Sequence, residues 1–181
     1  MCGRFRYSWQ PADAQWCAEE CRLRFAQFQE QEIFPSEAIM IITHGAQGLA
    51  AQTASWGFTM QKKRVINARL ETLGEKALFR PFLRWRCVIP CDGYIEWMTQ
   101  GEQKVKLWIH HPQKTRLFLA GIYNDANEAV VLTMPAEGWL RKVHDRMPLL
   151  LDEQGMRDYL QGRQQVSTQN ARLRACRADE R

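Results

Sequence analysis

The chain has 181 residues, 45% of them hydrophobic and 10% aromatic, which is enough for one sizeable core and excludes intrinsic disorder. No apolar run reaches membrane-spanning length, the longest centring on IMII (39–42) and PLLL (148–151), and MCGRFRYSWQ lacks the apolar stretch of a signal peptide. The formal charge is +5 with 18 arginines among 25 basic residues, and the planar guanidinium suits phosphate, which suggests nucleic acid as the acidic partner.

Six cysteines without an export signal read as reduced thiols of a cytoplasmic protein, not as a disulfide framework. The first of them is the second residue, in MCGRF. Cys2 is small enough for Met1 to be trimmed, which leaves a thiol and a free α-amine on one carbon skeleton. Such a 1,2-aminothiol traps aldehydes: the amine forms a Schiff base and the thiol closes a five-membered thiazolidine ring. An α-amine titrates near pH ~8, so part of it is neutral and nucleophilic under physiological conditions. Taken alone, the position favours a chance cysteine on a frayed end, and the rest of the chain has to overturn that.

From Pro11 to Phe28 the apolar spacing predicts a helix with Ala14, Cys17, Cys21, Phe25 and Phe28 on one face. Cys17-x3-Cys21 and Cys87-x3-Cys91 offer four thiolates, but the first pair lies on that apolar face, which favours packing over zinc. Ile39–Thr43 reads as a buried strand closed by HGAQG. INARLET (66–72) starts as a strand, so that Asn67 and Arg69 share one face. RCVIP and GYIEWM are two strands parted by the tight turn CDG. In the second of them Glu96 lies with Tyr94 and Met98, opposite Ile95 and Trp97. A carboxyl desolvated there can serve as a general acid, whereas one facing solvent has no such role. KVKLWIH (104–110) alternates, with Val105, Leu107 and Ile109 on one side and Lys106, Trp108 and His110 on the other. RLFLAGIY, AVVLT and MPLLL are further strands. His144, in KVHDRMP, is flanked by Asp145 and Arg146, which gives a titratable ring beside a cation. Asp152 caps a short helix through Leu160 that ends before Gly162. Residues 162–181 read as a basic, polar, loosely held tail behind one domain, 1–161. The class is α+β, with a mostly antiparallel, barrel-like β core and flanking helices.

MCGR, WG (56–57), NAR-x-ET (67–72), RC-x-x-P-x-x-G-x-x-EW (86–97), AGIY (120–123) and HDRMP (144–148) occur in one order from Cys2 to about Leu151. The combination resembles the SOS response-associated peptidase family, the SRAP domain. The resemblance implies a compact barrel-like fold that binds single-stranded DNA and links its N-terminal cysteine to the aldehyde of an abasic site as a thiazolidine. It implies Cys2 as nucleophile after loss of Met1, Asn67 holding the terminus and sugar, and Glu96 with His144 as the acid/base pair. It places Arg4, Arg69 and Arg146 on DNA phosphates. No metal or organic cofactor is implied, and the protein is expected to be a monomer without membrane contact. Two readings stay beside this one: an N-terminal-cysteine thiol peptidase that removes its own Met1, and a non-covalent single-stranded DNA binder. The chain departs from the family pattern at EIFPSE, where Glu32 replaces an asparagine, in the short cationic FTMQKKR after Trp56-Gly57, and at Ile95 where an aromatic is usual.

Overall fold

The computed structural model describes residues 2–163, 168 and 172–178. In chain order the strands are β1 (Arg4–Tyr7), β2 (Gln31–Ile33), β3 (Ala38–Gly45), β4 (Gly48–Trp56), β5 (Phe58–Met60), β6 (Lys63–Val65), β7 (Asn67–Arg69), β8 (Arg86–Cys91), β9 (Gly93–Gln100), β10 (Gln103–His110), β11 (Leu117–Tyr123), β12 (Glu128–Pro135), β13 (Arg146–Pro148), β14 (Leu150–Leu151) and β15 (Arg174–Arg177). Among the described residues, two α-helices, α1 (Glu19–Phe25) and α2 (Glu153–Leu160), and four short 3₁₀ segments complete the set. β12, β4, β3, β8 and β11 pair in sequence, and β11 pairs back to β12, so these five strands form a closed ring. A second sheet has the order β15-β10-β9-β1-β2. The architecture is α+β with a barrel-like core, the class that many short strands and few helices predict. Among the described residues no helix is long and apolar enough to cross a membrane.

The ring buries Ile39, Ile41, Ile42, Val88, Ile89, Leu119 and Val130, with Trp56 wholly enclosed. The second sheet has two apolar faces. Tyr94, Leu107 and Ile109 join the main core, while Ile95, Trp108 and Ala178 form a small cluster on the other side. That division follows the strand alternation of GYIEWM and KVKLWIH.

Four expectations change. The helix predicted over Pro11–Phe28 is broken into a 3₁₀ turn, Pro11–Trp16, and α1, because Cys17 and Ala18 are extended and Cys17 bridges Ala51 of β4. Asp13 and Trp16 face inward there and Ala14 is exposed, since the tighter 3₁₀ period rotates the buried positions. The CDG turn joins the two sheets instead of a hairpin. Gly93 has φ +154°, and a Cβ at that position would lie 2.4 Å from the Ile109 carbonyl, so the corner requires glycine. MPLLL splits at Leu149, whose N–H donates to the Leu132 carbonyl at 2.9 Å, leaving β13 on β12 and β14 on β11. In the tail, Arg174–Arg177 is the edge strand on β10, and Leu173 and Ala178 beside it are buried. The remainder of that tail, 164–167, 169–171 and 179–181, lies outside the described residues. The helix over 153–160 is as predicted, with Asp152 accepting from the Gly155 N–H at 2.7 Å.

Candidate active site

Cys2 stands just before β1, and its position follows from how that strand is anchored. Phe5 packs on Trp56 with ring centroids 5.1 Å apart, and the Trp56 indole donates to the Ile66 carbonyl at 3.1 Å. Ile66 precedes β7, so one buried tryptophan ties the start of the chain to the strand that carries Asn67. The Asn67 side-chain amide donates to the Cys2 carbonyl at 2.9 Å. Its Oδ1 is buried and accepts no hydrogen bond among the described residues. An asparagine with one arm engaged and the other open is poised for one further donor.

The Cys2 side chain is wholly buried. Its Sγ lies 3.8 Å from the Arg4 carbonyl, and its neighbourhood includes Glu96, Tyr94 and Cys91. Burial first, and then the Glu96 carboxylate, push the thiol up to about 12. Glu96 is 6% exposed and faces the core side of β9 with Tyr94, and its Oε1 accepts the Trp97 N–H at 3.3 Å. The solvated alternative for Glu96 does not hold. Cys2, just before β1, Asn67 of β7 and Glu96 of β9 are brought together.

β12 organises the other side of the site. Its Thr133 is opposite Arg69 of β7 and Pro148 of β13, and its Pro135 is opposite Arg146, so the two arginine-bearing strands flank it. Arg146 is not free: it forms a bidentate pair with Glu71, the second contact at 2.9 Å, and donates to the Thr133 carbonyl at 2.7 Å. The Arg146 hydrogen bonds hold the Glu71 carboxyl down at about 2. Arg69 is exposed and has no ion pair among the described residues. His144 is two residues before Arg146, and the contacts of its ring stay within its own loop. Its Nδ1 receives the Arg146 N–H at 3.0 Å and lies 2.6 Å from Asp145 Oδ1. The first contact suits a bare Nδ1 and the second a protonated one, so the same nitrogen has a partner in either state.

Arg4 is held on the far side of β1. Its guanidinium is 4.6 Å from the Phe34 ring centroid and 4.9 Å from that of Trp97, and it donates to Glu32 at 3.2 Å. Glu32 also receives Lys106, at 3.1 and 3.2 Å. Burial works against ionising Glu32, but Lys106 and Arg4 outweigh it and keep the carboxyl below the usual range. A groove of about 480 Å³ opens beside Asn67 and Arg69, lined further by Met60, Val65, Lys76 and Phe79.

A family model described as SOS response associated peptidase (SRAP) matches residues 1–180. The chain belongs to the SOS response-associated peptidase family. The match runs past Leu151, where the motif resemblance ends, and takes in the β15 edge strand. Abasic site processing protein YedK of Escherichia coli is 27% identical over 187 residues, covering 94% of this chain and 83% of the relative. YoqW of Bacillus subtilis is 29% identical over 146 residues, covering 71% and 65%. HMCES of Xenopus tropicalis is 28% identical over 123 residues, 52% and 37%. A solved structure from Bacteroides thetaiotaomicron has a TM-score of 0.78 at 20% identity, covering 96% of this chain and 90% of that one. One from Bordetella bronchiseptica gives 0.74 at 20%, with 97% and 99% covered. These two likenesses show the fold.

Within this SRAP chain, sequence reasoning gave no role to Trp56, Thr133 or Glu71, which hold the site in shape. Trp56 and Glu71 lie inside the quoted motifs, but a motif does not say which neighbour a side chain finds. Thr133 had no signal at all, because its role depends on β7 and β13 meeting across β12.

Proposed function

We propose that this protein, once Met1 is removed, captures abasic sites in single-stranded DNA by forming a thiazolidine cross-link through Cys2. The observation that carries the reading is the cluster at Cys2: a thiol and, after trimming, an α-amine on a residue whose carbonyl Asn67 grips, beside a buried carboxyl. The names of the relatives, abasic site processing proteins, support the same substrate.

The abasic sugar is mostly a closed ring, and Glu96 is the general acid for its opening, passing a proton to the ring oxygen. The neutral amine adds to the C1′ aldehyde, and the carbinolamine loses one water to give the imine. A thiol held up at about 12 is protonated at physiological pH, so the amine reacts first. The sulfur then adds to the imine carbon while its proton passes to the imine nitrogen, directly or through His144, closing the ring. One water is released overall and no electron is transferred. The open Asn67 Oδ1 accepts from the amine or from a sugar hydroxyl. Arg4, Arg69 and Arg146 hold phosphates, Arg146 by exchanging Glu71 for the DNA.

The test is a denaturing gel with a uracil-containing oligonucleotide, treated or not with uracil glycosylase. A shifted band only after base removal is the expected result. Turnover of peptides without that band would favour the thiol peptidase reading, and neither result would leave a non-covalent binder.

A further inference from the structure

The segment RPFLRWRC (80–87) was not used in the site and carries a surface of its own. Trp85 is 40% exposed, and Arg80 and Arg84 are exposed with no carboxylate partner among the described residues. Arg84 adjoins Trp85, and Arg80 lies four residues before it in a stretch whose backbone is helical from Phe79 to Leu83. The Trp85 ring is held from below by Phe82 at 5.8 Å, edge-on, and by Tyr123 at 5.3 Å. Its main chain is pinned as well, with its N–H on the Phe82 carbonyl at 2.9 Å and its carbonyl accepting the Tyr123 N–H at 3.0 Å. A supported indole that is 40% exposed, next to guanidinium groups without a carboxylate partner among the described residues, is what base stacking on a single strand uses.

The same rings lead back to the site. Phe82 contacts Phe58 at 5.7 Å, and Phe58 contacts Phe79 at 5.9 Å. Phe79 lines the groove that holds Asn67 and Arg69. Trp85 is thus three ring-to-ring steps from the groove, within the span of one bound strand, since single-strand sites cover roughly 4–16 nucleotides.

We propose that Trp85, with Arg80 and Arg84, is a second docking surface for the single-stranded DNA flanking the lesion: an unpaired base stacks on Trp85 and the arginines hold neighbouring phosphates. The proposal rests on the reading of Cys2 as a single-stranded DNA site. The occupant is single-stranded DNA because the surface pairs an open ring with uncompensated positive charge, which a polyanion of stacked bases complements. An apolar protein partner would leave both arginines desolvated and unpaired.

Fluorescence anisotropy with two oligonucleotides, of roughly 3 and roughly 20 nucleotides, each with an abasic site that fixes it at Cys2, separates the surfaces, because the short one does not extend from the groove at Asn67 to Trp85. For Trp85→Ala, affinity for the long strand should fall roughly tenfold while the short strand binds as before. Trp85→Phe should restore most of the loss, which a folding defect in the Ala variant would not explain. Replacing Arg80 and Arg84 together by Ala should flatten the log–log salt slope for the long strand by about 1.4 and leave the short strand's slope unchanged. Equal weakening of both oligonucleotides, or no change in either, would overturn the second surface, and the latter is the outcome expected of a protein-docking patch. Failure of the wild type to bind either strand would overturn the parent reading instead.

Discussion

Cys2 and its two partners set the chemistry at the scale of single residues. Cys2→Ser keeps an amine that forms a reversible imine but lacks the sulfur that closes the ring. The heat-stable adduct should therefore be lost while borohydride still traps some imine; an undiminished adduct would rule out the thiazolidine. Glu96 acts on the same thiol through its charge. Removing that charge in Glu96→Gln should move the pH profile of Cys2 alkylation, followed by mass spectrometry, to lower pH, since the carboxylate is one of the causes that raise the thiol. The variant also lacks the proton for ring opening, a contribution of about 10²–10⁴ in rate, so single-turnover cross-linking should slow with DNA affinity near normal. Glu71 makes the opposite kind of prediction. It occupies Arg146, so Glu71→Gln should bind single-stranded DNA several-fold more tightly; weaker binding would mean that Glu71 positions Arg146 for phosphate instead of competing with it. Folding reads the same pair with a definite sign. Glu71 has a folded value of about 2 against an ordinary 4.5, so its contribution to stability is present above about pH 4.5 and lost as pH falls towards 2. The acid limb of the thermal midpoint should be shallower in Glu71→Gln. The exposure of Glu71 keeps that effect small.

Between elements, the first 3₁₀ turn depends on a buried ionic network that apolar periodicity cannot reveal. Asp13, 1% exposed, accepts from Tyr7 Oη at 3.1 Å, the Gln10 N–H at 2.9 Å and Arg116 at 2.8 Å. Arg116 also donates to Asp92 at 2.6 Å, at the corner between β8 and β9, and to the Ser8 carbonyl at 2.7 Å. One guanidinium thus joins β1's exit, the 3₁₀ turn and the sheet-to-sheet corner. Asp13→Ala should destabilise the fold by about 3 kcal/mol, measured by urea unfolding, because a buried arginine loses one of its two carboxylates. A change within a few tenths of a kcal/mol would show the network to be incidental. A helical pattern was legible in Cys21 and Phe25, which do pack inward. The break at Cys17 was not, because its cause is a bridge to Ala51, on a strand more than thirty residues away.

At the level of the whole molecule, the closed ring gives Asn67, Thr133 and Arg146 fixed places on adjoining strands, while the second sheet delivers Cys2 and Glu96 from β1 and β9. Charge acts at the same scale. The excess of arginine should make binding strongly salt-dependent, and each phosphate contact to a single strand adds about 0.7 to the slope. Arg69→Ala should flatten the slope by that amount and weaken all sequences alike. A sequence-selective loss would assign Arg69 to base contacts.

Period and residue type were enough to determine the class of fold, the two-faced alternation of β9 and β10, the cap at Asp152 and the aminothiol capacity of Cys2. Each of these depends on neighbours in sequence or on the chemistry of one side chain. The tertiary structure alone decided that Asn67 grips Cys2, that Glu96 is buried beside the thiol, that Arg146 is bound to Glu71 and that Arg174–Arg177 closes the edge of a sheet. Those contacts join residues more than 60 positions apart, and no local pattern records which strands a closed ring will bring side by side.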